Sequence, residues 1–167
     1  MSRGFVKEGD QEEIPLIPQR AYLPPGLTNF VTQVGMNQLL EEKQNLIYEK
    51  ENIIVTNEND KRISLNFINA KLQLLNDRIA SAKIVNLKEQ PQNEIRFGAL
   101  ITLMNKGSKK VQSFQIVGVD EADISKGKIS FISPLAKALI NRKIGDSVII
   151  KQNKGDISFE ILEIAYY

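Results

Sequence analysis

The chain has 167 residues, 42% of them hydrophobic, and a formal net charge of +2 at pH 7. That is apolar material for one ordinary domain or two small ones, and too little charge asymmetry to indicate a nucleic-acid or membrane surface by electrostatics alone. With no cysteine and no histidine, the chain has no disulfide, no thiolate, no imidazole-based nucleophilic site and none of the usual zinc ligands, which leaves carboxylates, Lys, Tyr and oxygen-ligated hard cations such as magnesium.

Residues 1–30 read as an extended tail. Pro15, Pro18, Pro24 and Pro25 recur there, and proline both fixes φ and removes an amide donor. Leu16, Ile17, Tyr22 and Leu23 are expected to pack it on the body. Glu8, Asp10, Glu12 and Glu13 interrupt any secretory leader, and no stretch approaches the roughly 18 apolar residues of a membrane span. The expectation is a cytoplasmic protein without a membrane partner.

Residues 31–88 read as a helical hairpin. Thr32 is the expected N-cap, and Pro and Gly are absent between Met36 and Lys88. In the first arm, about 36–54, apolar pairs recur every seven residues at Leu39/Leu40, Leu46/Ile47 and Ile53/Ile54. In the second, about 63–82, Leu65, Ile68, Leu72, Leu75, Ile79 and Ala82 alternate steps of three and four. The polar run Thr56-Asn57-Glu58-Asn59-Asp60 favours a turn and a cap, so the arms are antiparallel neighbours. Two such stripes bury each other and little else, which predicts a projecting coiled-coil hairpin. Its use as an arm, a spacer or a dimerisation face is left open by the pattern.

Residues 93–167 change to strand period. The expected strands are 99–104, 114–117, 128–132, 147–150 and 157–164, separated by turns at Gly107, Gly127, Gly145 and Gly155. Ser133 and Pro134 announce one short helix, with Leu135 to Ile140 supplying its apolar face. The fold class is therefore α+β: a helical hairpin, then five antiparallel strands with one helix laid across them.

These parts resemble the bacterial GreA/GreB transcription elongation factors, in which a coiled-coil hairpin precedes an FKBP-like domain. The motifs lie mainly in the second half. Phe97-Gly98-Ala99 opens the first strand as the family does, and Ile116-Val117-Gly118-Val119-Asp120-Glu121-Ala122-Asp123 is similar to its IVGxDEAD stretch. Ser133-Pro134-Leu135-Ala136-Lys137-Ala138-Leu139-Ile140 is similar to its SPLGRALL signature, and Ile144-Gly145-Asp146-Ser147-Val148 to its GD turn. Thr32 and Gly35 match the start of the first helix, and Leu75 to Val85 the end of the second. The resemblance covers about residues 30–167 and not the tail. Ala136 and Asn141 stand where the family has glycine. The hairpin is shorter by about two turns per arm, each turn withdrawing the tip by about 5.4 Å. The family's D-x-x-E tip pair is missing.

The resemblance implies a partner, RNA polymerase, with indirect contact to nascent RNA and DNA. Family members insert the hairpin into the polymerase secondary channel while the globular domain holds its rim. In cleavage-competent members the tip acids help to hold a second Mg²⁺ at the polymerase active centre, so any catalysis belongs to the polymerase and the chain binds no metal alone. The acids available at this tip are Glu49, Glu51, Glu58 and Asp60. The implied polymerase-binding surface is Asp120, Glu121 and Asp123 with Ser133 and Pro134, the first three forming an exposed acidic loop. Three alternatives stand beside this reading. One is a Rnk-like or anti-Gre regulator that binds polymerase without promoting cleavage. Another is an FKBP-like prolyl isomerase, which needs a concave site lined by aromatics such as Phe97, Phe114, Phe131, Phe159, Tyr166 and Tyr167. The last is a plain coiled-coil adaptor.

Overall fold

Thr32 and Asn57 start the two long helices. In the computed structural model, which describes residues 15–167, α1 runs Gln33–Glu51 and α2 runs Glu58–Ser81. The Thr32 side chain accepts from the Gly35 amide, and the Asn57 side chain from the Asp60 amide. Both helices begin earlier than their apolar stripes, because the caps and not the first apolar residue fix the start. Asn52 ends α1, its amide donating to the Tyr48 and Glu49 carbonyls, so Ile53 and Ile54 lie beyond the helix. Leu39 and Leu46 on α1 pack with Ile68 and Leu75 on α2, flanked by Ile53, Leu72 and Ile79. The seven-residue spacing on each arm is the expected seam.

A small sheet absent from the sequence reading closes the base of this hairpin. Strand β1 (Asn29–Val31) precedes α1, and β2 (Ala82–Ile84) follows α2. They pair in parallel, Asn29 with Ala82 and Val31 with Ile84. The Val85 amide continues the ladder by donating to Val31. Both arms thus leave from one clasp, and the 52–57 connection lies at the far end.

The β-rich half comprises β3 (Leu100–Asn105), β4 (Val111–Val117), β5 (Lys128–Ser130), β6 (Ser147–Ile150) and β7 (Ile157–Ala165), in the order β5-β4-β3-β7-β6. The all-antiparallel expectation needs one correction. β4 and β5 pair in parallel, Ile116 facing Ile129. The 118–127 connection carries the chain back across the sheet end through a 3-10 turn at Ile124–Lys126, as a parallel pair requires. The sheet is mixed, and a bulge at Thr102/Leu103 bends β3 against β7. Helix α3 (Pro134–Leu139), capped by Ser133, buries Ala136 and Leu139 against Ile95, Ile101, Leu103, Ile116, Val148 and Ile161. Asn141 follows it with φ 69°, a left-handed position where asparagine replaces glycine at small cost. Among the described residues no helix is long and apolar enough to cross a membrane.

The tail departs from expectation in part. Residues 1–14 lie outside the described residues. In the remainder Leu16 is 96% and Tyr22 71% exposed. Ile17 and Leu23 are half-buried, and the hydrogen bonds that hold the segment to the body run through Arg20 and the Ala21 carbonyl.

Tyr166 ties the C-terminus to the start of the domain. Its hydroxyl donates to the Glu94 carbonyl at 2.6 Å and accepts from the Arg96 amide at 2.8 Å. Burial raises its pKa above the ordinary 10.0, opposed by the Arg96 interactions. The fold therefore favours the neutral phenol. Its contribution is complete below the unfolded pKa and is lost as pH rises through the higher folded one. Tyr166→Phe is expected to cost about 1–2 kcal/mol at neutral pH. It should also flatten the alkaline fall in melting temperature, which thermal melts of both proteins from neutral pH upward would measure.

Candidate functional site

The acidic stretch after β4 is where the two halves of the molecule meet. Gly118 leaves β4 so close to β1 that a Cβ there would lie 2.6 Å from the Phe30 carbonyl oxygen. The Phe30 ring then packs against Phe97 and Phe131, with centroids 5.8 and 5.9 Å away. Those two rings are themselves 5.7 Å apart, edge to face. This aromatic trio seats the clasp on the sheet end formed by the start of β3 and the finish of β4.

Glu121 locks the N-terminus of α1 to that seat. Its side chain is only 2% exposed. One carboxylate oxygen accepts from the Thr32 hydroxyl at 2.6 Å, and the other from Lys128 at 3.0 Å. Thr32 meanwhile caps α1 through the Gly35 amide at 2.9 Å, so one hydroxyl serves helix and carboxylate together. A Cβ at position 35 would sit 2.7 Å from Glu121 Oε2, which is why glycine opens this helix. The carboxylate also lies favourably at the positive end of the helix dipole.

Asp120 gathers the remaining elements. Arg20 of the tail donates to its Oδ1 at 3.0 and 3.1 Å, and grips Glu42 of α1 in a two-pronged contact at 2.7 and 3.0 Å. Arg78 of α2 approaches Asp120 Oδ2 at 3.3 Å and donates to the Ala21 carbonyl. Hydrogen bonds from Arg20 to Glu42, opposed by burial and aided by the Asp120 charge, raise the Arg20 pKa. The Arg20 guanidinium therefore stays charged at any working pH. Asn29 adds bonds to the Arg78 carbonyl and to Ser81. Tail, both arms and the β-rich domain thus share one set of charges.

The tip differs in character. Asp60 and Asn57 bond reciprocally, Asn57 Nδ2 donating to Asp60 Oδ2 at 2.7 Å. Glu58 sits beside them in the first turn of α2, while Glu49 and Glu51 lie at the end of α1. Among the described residues no three acids approach one another closely enough to hold a metal ion. The tip exposes these acids together with apolar side chains, Ile54 being 95% exposed and Tyr48, Val55 and Ile63 also open to solvent.

Residues 90–166 match the family described as transcription elongation factor GreA/GreB, C-terminal. This C-terminal domain belongs to the GreA/GreB family. The chain is 42% identical over 100 residues to the elongation factor GreA of Pelobacter propionicus, covering 60% of the chain and 63% of that relative. It is 43% identical over 100 residues to GreA of Trichlorobacter lovleyi, with the same shares covered. The match thus spans just under two thirds of each relative's length. Among solved structures it is similar to GreA factor homolog 1 of Thermus thermophilus, with TM-score 0.40 and 22% identity over 83% of this chain and 99% of the other. It is likewise similar to a GreA/GreB factor of Nitrosomonas europaea, with TM-score 0.43 and 18% identity over 82% and 98%.

The GreA/GreB acidic stretch is accordingly not the exposed loop that its composition suggests. Asp120 and Glu121 are engaged inside the molecule. Asp123 stays accessible, but it caps the 3-10 turn through Ser125, whose hydrogen bond holds the Asp123 carboxyl below the usual carboxylate range. Ser133 caps α3 by accepting from Ala136, with Pro134 in its first turn. Sequence reasoning missed Arg20, Asn29, Phe30, Lys128 and Arg78. The only available signal was an arginine, Arg20, set among the four prolines of the tail. Phe97, Phe114, Phe131, Phe159 and Tyr166 are partly buried and pack against the main core.

Proposed function

We propose that the chain is an RNA polymerase-binding transcription elongation factor whose hairpin enters the secondary channel and acts there by occupying it. The observation that carries this reading is a GreA/GreB-type domain bearing a two-helix arm whose base is fixed by Asp120 and Glu121. A finger inserted into a channel must not swivel at its root, and the buried Thr32–Glu121–Lys128 contacts oppose that swivel. The tip supports occupancy over metal delivery. Its connection exposes Ile54, and Asp60 is committed to Asn57. On this reading the accessible Asp123, with Ser133 and Pro134, touches the channel rim, and Asp120 and Glu121 set the arm's angle.

Two measurements test it. Core RNA polymerase should retain the chain in a pull-down, and loss of retention in the native host's extract would remove the proposal altogether. In a transcript-cleavage assay on backtracked complexes, the chain alone should match the no-factor control and should inhibit cleavage by an added GreA. Cleavage above background that disappears in Glu58→Ala or Asp60→Ala would replace occupancy with tip-acid catalysis support.

A further inference from the structure

The net charge of +2 conceals a segregation that only the sheet topology reveals. The turn after β3 holds Lys106, Lys109 and Lys110, and the turn before β7 holds Lys151 and Lys154. Asn105 pairs with Phe159, Met104 with Val111 and Ile150 with Ile157, so both turns occupy one end of the sheet. The Lys106 amide donates to the Ser158 carbonyl at 2.9 Å and ties the turns together. Across 106–110 and 151–156 the only acid is Asp156, giving a local net charge of +4 and leaving −2 for the rest of the chain. All five lysines are exposed, and none forms an ion pair among the described residues. This end is opposite the clasp, since β1 sits where β3 begins and β4 finishes.

We propose that this sheet end docks on the phosphate backbone of a nucleic-acid duplex. The β4-to-β6 width is about three strand spacings, or about 14 Å, and a duplex carries about one charge per 1.7 Å of axis. Several phosphates therefore face the lysines at once. The composition argues against two other occupants. Protein interfaces favour aromatics and arginine and are depleted in lysine, yet neither turn contains an aromatic or an arginine. A single strand would be held by stacking on aromatic rings, and none is offered here. Contact is thus to backbone and independent of sequence.

The backbone of the first turn is fixed by its own hydrogen bonds. Asn105 Oδ1 accepts from the Gly107 and Ser108 amides at 2.9 and 3.2 Å, and the Lys109 amide donates to the Asn105 carbonyl at 2.8 Å. Lys109 itself has φ 61°. Glycine would occupy that left-handed position with less strain, so folding alone does not ask for a lysine there.

The test is fluorescence anisotropy with a labelled DNA duplex across a salt series, using the full chain. Wild-type affinity should fall by about two orders of magnitude between about 50 and 200 mM salt. Changing all five lysines to glutamine should abolish that dependence and most of the binding. Lys83→Gln, an exposed lysine at the clasp, should change nothing. Lys109→Gly should weaken binding about fivefold while its melting temperature holds or rises, which separates lost charge from lost fold. Absence of duplex binding at low salt would overturn the proposal, as would undiminished binding by the five-lysine variant. Polyglutamate bound as tightly as the duplex would overturn it in favour of an acidic protein partner. None of these outcomes depends on polymerase binding.

Discussion

Asp120→Ala is expected to lower the unfolding free energy by about 2–3 kcal/mol. Removing one member of a buried ion pair leaves the others desolvated and uncompensated, which costs about 3–5 kcal/mol when burial is complete. Here the side chains of Asp120, Arg78 and Arg20 are 9%, 12% and 18% exposed, so the lower end applies. Two guanidinium groups lose their shared counter-charge together, and Arg78 Nη1 is already buried without a hydrogen-bond partner. Arg20→Ala should cost less, about 1–2 kcal/mol, because Arg78 still balances Asp120. The double variant should therefore be more stable than the sum of the two single losses implies, with a coupling of about 1 kcal/mol or more. Chemical denaturation of the four proteins measures this. Strict additivity would mean that Arg20 only brushes the surface and that the tail is not fastened through it.

Leu75→Ala is expected to be at least as damaging, at about 3 kcal/mol, and in a different place. Leu75 is fully buried at the centre of the seam with Leu39, Leu46 and Ile68. Truncation removes transfer energy and leaves a cavity that two paired helices can close only in part. Because the hairpin has little core beyond this seam, the loss should fall on the arms first. Far-UV circular dichroism should show helix melting before the sheet. Leu40→Ala, at a site 44% exposed on the outer face of α1, should change the melting point little. Equal effects at both positions would mean that the arms do not depend on this seam.

The elements most visible in the sequence were those with strong local signals. The heptad spacing of Leu39, Leu46, Ile68 and Leu75 announced the hairpin, and Ser133-Pro134 announced α3. Helix starts were less legible, because caps such as Asn57 act several residues ahead of the apolar stripe. The parallel pairing of β4 with β5 and of β1 with β2 was not visible at all. Three-residue strands carry no period, and their partners are chosen by tertiary contact. The acidic stretch Asp120–Asp123 was recognised as special for its motif, but its burial was not foreseeable. Its partners Thr32, Arg20 and Arg78 are 89, 100 and 42 positions away in the chain, and composition says nothing about pairs so separated. The lysine-rich sheet end was hidden for the same reason, with two modest turns summing only after β3 and β7 bring them together.

The parallel clasp has a consequence for how such a molecule can be resized. Both arms begin and end at the β1–β2 pair, so nothing at the foot of the finger registers how far away its tip lies. Matched additions or deletions of one heptad per arm preserve the seam and shift the tip by about 10.5 Å. The finger is in effect a telescoping depth gauge whose handle stays constant, and reach can be retuned in whole heptad increments without redesigning the grip.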